Sequence, residues 1–247
     1  MTVPTPTQTQ IQVALVGFLT AILPSGVPVV AGQVNKVPEP DEDDFCILWL
    51  LRRERIETNV DSTADVKFTG AIAGATLTVS SVARGSISPG ATLFGVGVAS
   101  NTVIQTQTGG TPGGMGTYTV SPTQTVASET LSSGATNATQ NTQIVYQIDV
   151  HGPNSSDNAQ VISTLFRDPW GVDWFNAYAV ANGVNVCPLF ADDPRQVPFI
   201  NAENQYETRW IVEAHLQSNQ TVSVPQQYAD AVTVTPISVN VSFPPTP

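Results

Sequence analysis

The distribution of charge along the chain constrains its fold more than any single motif. Between Asp65 and Gln140 there are three charged residues, Lys67, Arg84 and Glu129; the rest is mostly Gly, Ser, Thr, Ala and Val. These residues form short alternating runs. Val66 to Ile72 is one, and Ala75 to Ser81 follows after a turn at Ala73-Gly74. Asn101 to Gln107, Gly116 to Val120 and Gln124 to Leu131 complete the series. Ser88-Pro89-Gly90 has Pro and Gly in the order of a type II turn, with Gly90 free to take positive φ. Gly109 to Gly114 is a flexible loop. Short strands at roughly ten-residue spacing predict a small all-β module. The alternation is too regular for a Gly-rich linker. The reading is an inserted all-β domain at 64–134 on the outside of a discontinuous α+β core, 1–63 and 135–247.

The flanks have different periods. Ile11, Leu15, Phe18, Leu19 and Ile22 recur at helical spacing over residues 8–22, and Pro24 and Gly26 stop that helix. Phe45 to Ile56 reads as a strand. Its nearly continuous apolar first half, Cys46 to Leu51, predicts burial on both faces. After the insert, Ile144, Tyr146, Ile148 and Val150 alternate on one strand face. His151-Gly152-Pro153 makes a turn, Asn154 caps a helix and Asp157 favours its dipole. Ala159, Ile162, Leu165 and Phe166 form the stripe of that helix. Asp168-Pro169 opens another, striped by Trp170, Trp174 and Tyr178 and stopped at Asn182-Gly183. Gln205 to Leu216 and Ala231 to Val241 read as strands. The fold class is therefore α+β: a mixed or antiparallel sheet with helices packed on one face, plus the insert.

Charge and cysteine content narrow the function. Of 247 residues 12% are charged, against about 25% in an average soluble domain. Nine basic and twenty acidic residues give a net charge of −11. That excludes a general nucleic-acid binder, which needs a basic footprint to release counterions. The expectation is no DNA retardation at physiological salt. Cys46 and Cys187 lie far apart in apolar runs and read as buried free thiols. No basic n-region opens the chain and its longest apolar run, Ile11 to Leu23, is too short to span a bilayer, so no membrane role is expected.

Catalytic and metal motifs are missing from the sequence. No phosphate-binding loop, dinucleotide fingerprint or nucleophile elbow is present, and two Cys and two His lack metal-site spacing. The expectation is therefore no enzyme, no catalytic residue, no metal and no cofactor. Asp149 and His151 share a strand face beside Ser155 and Ser156, but the serines are explained as helix-start residues. Asp41, Glu42, Asp43 and Asp44 lack the glycine and the ligand spacing of a calcium loop and read as a solvated acidic loop. Arg52, Arg53 and Arg55 form a small basic patch; Arg53 and Arg55 share a face, so an intersubunit ion pair competes with a ligand site.

Three stretches carry a resemblance. They are Pro38 to Asn59 with its Leu-Arg-Arg-Glu-Arg, Gln143 to Gln160 with its His-Gly-Pro and capped helix, and Asn201 to Trp210 with Gln-Tyr-Glu-Thr-Arg-Trp. In this order they resemble the neck and tail terminator proteins of tailed phages. The 64–134 region resembles a Gly/Thr/Ser-rich β module of phage virion proteins, around Phe68-Thr-Gly-Ala-Ile and Gly116-Thr-Tyr-Thr-Val-Ser-Pro. The simplest terminators lack this module. The resemblance implies a structural protein of the virion neck, assembled in the host cytoplasm into a ring, usually of six copies. Such a ring ends the tail tube and joins it to the head connector. Its partners would be itself, the tube protein, connector and neck proteins, and the sheath where there is one. Genomic DNA would pass through the bore unbound, and Asp41 to Asp44 would be bore or loop residues. A decoration, fibre or other surface-binding virion protein is the alternative, supported by the β module.

One further segment bears on assembly. Residues 219–227 are polar, extended and uncharged, and read badly as core or as helix. With the proline-rich tail after Val241 they suit a reach onto a neighbouring subunit, where backbone hydrogen bonds supply the contact. A mobile hairpin loop and a frayed terminus are the alternative. Asn219, Gln220, Val222, Val224 and Gln226 are the interface residues on this reading, joined at the same seams by Arg52, Arg53, Arg55 and Arg209.

Overall fold

The computed structural model describes residues 3–33, 40–200 and 206–228. In chain order its elements are α1 (Gln8–Ile22), β1 (Val29–Ala31), β2 (Phe45–Arg55), β3 (Val60–Ala64), β4 (Lys67–Arg84), β5 (Val103–Gly110), β6 (Gly116–Ser132) and β7 (Ala135–His151). Then come α2 (Ser155–Phe166), α3 (Pro169–Asn182), β8 (Cys187–Ala191), β9 (Arg195–Gln196), β10 (Phe199–Ile200), β11 (Tyr206–Glu207) and β12 (Arg209–Pro225). The protein is an α+β chain with mixed sheets. It divides into two compact units, residues 1–62 with 137–224 and residues 63–136 with 225–247.

The first unit is built on a sheet ordered β1-β2-β7-β12-β8, with β3 also paired to β7 and β9 to β12. β1 runs parallel to β2, whereas β2 and β7 pair antiparallel from Phe45↔His151 to Arg55↔Thr142. The alternating face of β7 is fully buried at Ile144, Tyr146, Ile148 and Val150. It joins Cys46 and Leu48 of β2 and Val212, Ala214 and Leu216 of β12 in one core with all three helices. Phe18 of α1 sits where the helices meet, stacked on Phe175 at 5.1 Å and edge-on to Phe166 at 5.7 Å. The helix ends follow from local chemistry. Thr7 Oγ1 accepts from Gln10 N–H, and Gln10 Oε1 accepts from Thr7 N–H, a reciprocal box that satisfies two orphan donors. Asp168 caps α3 through Trp170 N–H at 2.9 Å, with Pro169 at the first position.

Four local readings change. Ile47, Trp49 and Leu50 are half-buried and Leu51 is exposed, because the helices cover one face of the sheet alone. Asn154 makes no side-chain cap; its own N–H and amide donate to Asp44 at 2.8 and 2.7 Å. The strand expected from Gln205 to Leu216 breaks at Thr208: β11 pairs with β10 as a separate ribbon, and β12 continues to Pro225. Cys46 is buried, but Cys187 is exposed because β8 is an edge strand. The strand expected at Ala231–Val241, the tail beyond it, residues 201–205 and Pro38 lie outside the described residues.

The second unit carries the three-stranded antiparallel sheet β4-β6-β5. Phe68, Ile72, Leu77, Ile104, Tyr118, Val126 and Leu131 form its own buried cluster. Gly74, expected in a reversal, instead lies inside the single strand β4, where the register with β6 shifts. The runs Gly116 to Val120 and Gln124 to Leu131 are likewise one strand. Gly90 takes φ of +87° in its turn, closed by Ala91 N–H to Ser88 O at 3.2 Å.

Candidate functional site

The sheet face turned away from the helices carries an ion-pair lattice. Asp149 on β7 is 3% exposed and accepts from Arg209 and, at 2.7 Å, from Gln147 Nε2. His151 Nδ1 lies 2.5 Å from Glu207 Oε1, with its ring stacked on Phe45 and edge-on to Phe199. The Arg209 guanidinium lies over the same Phe199 ring. Glu213 faces Arg195 at 3.1 Å and Arg52 at 3.5 Å, and Arg52 also binds Glu54 at 2.5 Å. The hydrogen bond to Glu54 raises the Arg52 pKa further. Asp149 and His151 thus share a face as expected, each held by its own partner. Ser155 is buried, with its hydroxyl directed to Thr208 O at 3.5 Å. The geometry is that of a structural network, and Arg52 and Arg209 are engaged within the subunit.

One corner of this lattice has metal-like spacing. Ligand atoms of Asp192, Glu213 and His215 lie within 4.8 Å of one another. Both Glu213 oxygens already face guanidinium groups, and His215 is stacked on Phe190 with Nδ1 at 2.6 Å from Gln143 Nε2. Two cations beside the carboxylate oppose a third, so the cluster belongs to the lattice.

A register shift separates Arg53 and Arg55 from Arg52. Leu50 pairs with Tyr146 and Arg52 with Val145, leaving Leu51 as the extra residue. Arg53 and Arg55 therefore fall on the helix-side face of the sheet, opposite Ile144 and Thr142. They line a cleft of about 530 Å³ with Gln140, Thr142, Gln220 and Val222. Arg53 donates to Gln220 Oε1 at 2.8 Å and to Gln8 Oε1 at 3.2 Å; Arg55 donates to Gln140 Oε1 at 3.4 Å. Burial pushes the Tyr146 phenol up to about 12, with the Arg53 charge pulling the other way.

Residues 219–225 are the end of β12. Gln220 is 7% exposed, and its amide donates to Pro6 O at 2.6 Å. Thr221 exchanges backbone hydrogen bonds with Thr5 at 3.0 and 2.9 Å. Gln220 is thus core where the sequence reading made the segment a poor core, because carbonyl and guanidinium partners satisfy its amide. Asn219, Val222, Val224 and Gln226 remain exposed. Asp41, Glu42 and Asp43 are exposed at the start of β2, while Asp44 holds Asn154. Gly152, at φ of +100°, lets these segments meet: a Cβ there would lie 2.1 Å from Asp43 O.

Residues 90–241, more than half of the chain, match the family model for phage neck terminator protein. The chain belongs to the phage neck terminator family. This is a structural family of the virion's neck and tail, and a neck terminator associates with other head and tail proteins. The match takes in the second unit from Gly90 onward, then α2, α3 and β12; it leaves out the terminator's α1, β2 and acidic run. No curated protein matches the chain. Among the described residues no helix is long and apolar enough to cross a membrane. The lattice pairs stayed hidden in the sequence because their members lie far apart, 161 positions for Arg52 and Glu213.

Proposed function

We propose that this neck terminator closes into a homo-oligomeric ring, six copies, at the head-proximal end of the tail tube. There it stops tube growth and presents a surface to the head connector. The match over residues 90–241 carries this reading. The net charge of −11 per subunit supports DNA passage without binding, since a ring of negative subunits repels the phosphate backbone. Residues 64–134 act as an inserted all-β domain, and 1–63 with 135–247 as the ring-forming core. Assembly takes place in the host cytoplasm before the chain enters the virion.

Electron microscopy of particles made with and without this chain tests the proposal. Its loss gives tubes of uncontrolled length and heads without tails, and a tag on the chain appears as a collar at the neck. Normal tails joined to heads in its absence, or a tag along fibres or the capsid surface, would refute it.

A further inference from the structure

Strand β2 is charged with opposite sign at its two ends. Asp41, Glu42 and Asp43 stand exposed just before it, and Arg53 and Arg55 stand exposed at its far end. The eleven residues of the strand separate the two groups by about 30 Å, several Debye lengths at physiological salt, so they do not neutralise each other within one subunit. Among the described residues, no carboxylate is paired with Arg53 or Arg55. The partners of Arg53 and Arg55 among the described residues are the neutral amides of Gln220, Gln8 and Gln140. This differs from Arg52, Arg195 and Arg209, each of which faces a carboxylate. In a chain with an excess of acidic residues, these two adjacent guanidinium groups face amides and no carboxylate among the described residues.

We infer that the Arg53–Arg55 cleft receives the Asp41–Asp43 segment of a second copy of this chain. The inference rests on the ring reading and gives it a seam. Three carboxylates on a short exposed segment complement two guanidinium groups on one strand face beside a cleft of about 530 Å³. A contact between different surfaces of identical subunits is heterologous, and such contacts generate closed rings when the rotation closes. Exposed Val222, on the cleft wall, gives the seam an apolar margin. The acidic run thus belongs at the subunit boundary instead of the bore.

Charge reversal in the full-length chain tests the pairing. Two variants are made, Arg53→Glu with Arg55→Glu, and Asp41→Lys with Glu42→Lys and Asp43→Lys. Far-UV circular dichroism checks folding, and Arg55→Glu alone serves if the double change perturbs the Gln220 contact. Sedimentation velocity is run on each variant, on their mixture and on wild type, at low and physiological salt. Each variant alone is expected to self-associate about 100-fold or more weakly than wild type, because like charges then face each other across the seam. An equal mixture restores wild-type assembly, with the two chains alternating. Unchanged association of folded Arg55→Glu and Arg53→Glu/Arg55→Glu, or no rescue on mixing, would overturn the pairing and leave the ring standing. A wild-type chain that stays monomeric at low salt and on purified tube ends would overturn the ring itself. Wild-type retention of a DNA duplex that Arg53→Glu/Arg55→Glu loses would reassign the cleft to phosphate.

Discussion

Asp149→Ala should destabilise the first unit by about 3 kcal/mol. The Asp149 side chain is 4% exposed and that of Arg209 is 19%. Removing one member of a buried pair costs about 3–5 kcal/mol, because the survivor is left charged and desolvated. Arg209 keeps enough exposure to recover some hydration, which places the expected loss near the lower bound. It has little other support, since its Nε is already buried without a partner among the described residues. Gln147 also loses its acceptor, worth about 1 kcal/mol more at most. Replacing both members, Asp149→Leu with Arg209→Met, removes the charges together and should cost about 1 kcal/mol or less. The four tryptophans, Trp49, Trp170, Trp174 and Trp210, all lie in the first unit, so fluorescence in a urea titration reports that unit by itself. A loss below about 1 kcal/mol for Asp149→Ala, or a double variant as damaged as the single one, would refute the assignment of a desolvated pair.

Stability should fall in alkali: burial, aided by the Asp44 charge, pushes the Cys46 thiol from 9.0 to about 12, and burial pushes the Tyr146 phenol from 10.0 to about 12. Both groups ionise earlier in the unfolded chain, so their contribution is intact below pH 9 and is lost as pH rises toward 12; Cys46→Ala with Tyr146→Phe should flatten that slope in urea midpoints. Iodoacetamide should label Cys187 in the folded protein and leave Cys46 until unfolding, read by mass spectrometry of the peptides. Replacing residues 64–134 by a short Gly-Ser linker should leave the tryptophan unfolding transition in place, since Arg55 and Thr142 are already paired across the gap; an insoluble product would count against it. Val222→Asp with Val224→Asp should leave a folded chain that no longer assembles on tube ends, and wild-type yield of joined particles would remove the segment from the interface.

The helices were legible because their signals are local. Apolar spacing marks α1, and Asp168-Pro169 and Gly183 bracket α3 through contacts no more than four residues apart. The same holds for Ile144 to Val150, where four residues in period two give a buried face. The misread places have partners distant in sequence. Cys187 to Ala191 stays unread because Pro188 interrupts any local strand signal, but the fold puts it on an edge, where proline is tolerated. Gly74 looks like a reversal until the partner strand shows a register shift. Gln220 looks like a surface residue until Pro6, 214 positions away, accepts from it. The candidate arginines were visible as a patch, yet only the extra residue Leu51 separates Arg52, bound in the lattice, from Arg53 and Arg55 in the cleft.

The pairing of β2 with β7 gives the first unit a direction of mechanical strength. Ten residue pairs join the two strands from Phe45 to Arg55. A pull along these strands loads the cross-strand hydrogen bonds in parallel, and they must yield together. A pull that peels the five-residue edge strand β8 away from β12 meets those bonds one after another. Shear along β2 and β7 is thus met by ten residue pairs at once, whereas peeling starts at the short edge strands, three residues in β1 and five in β8.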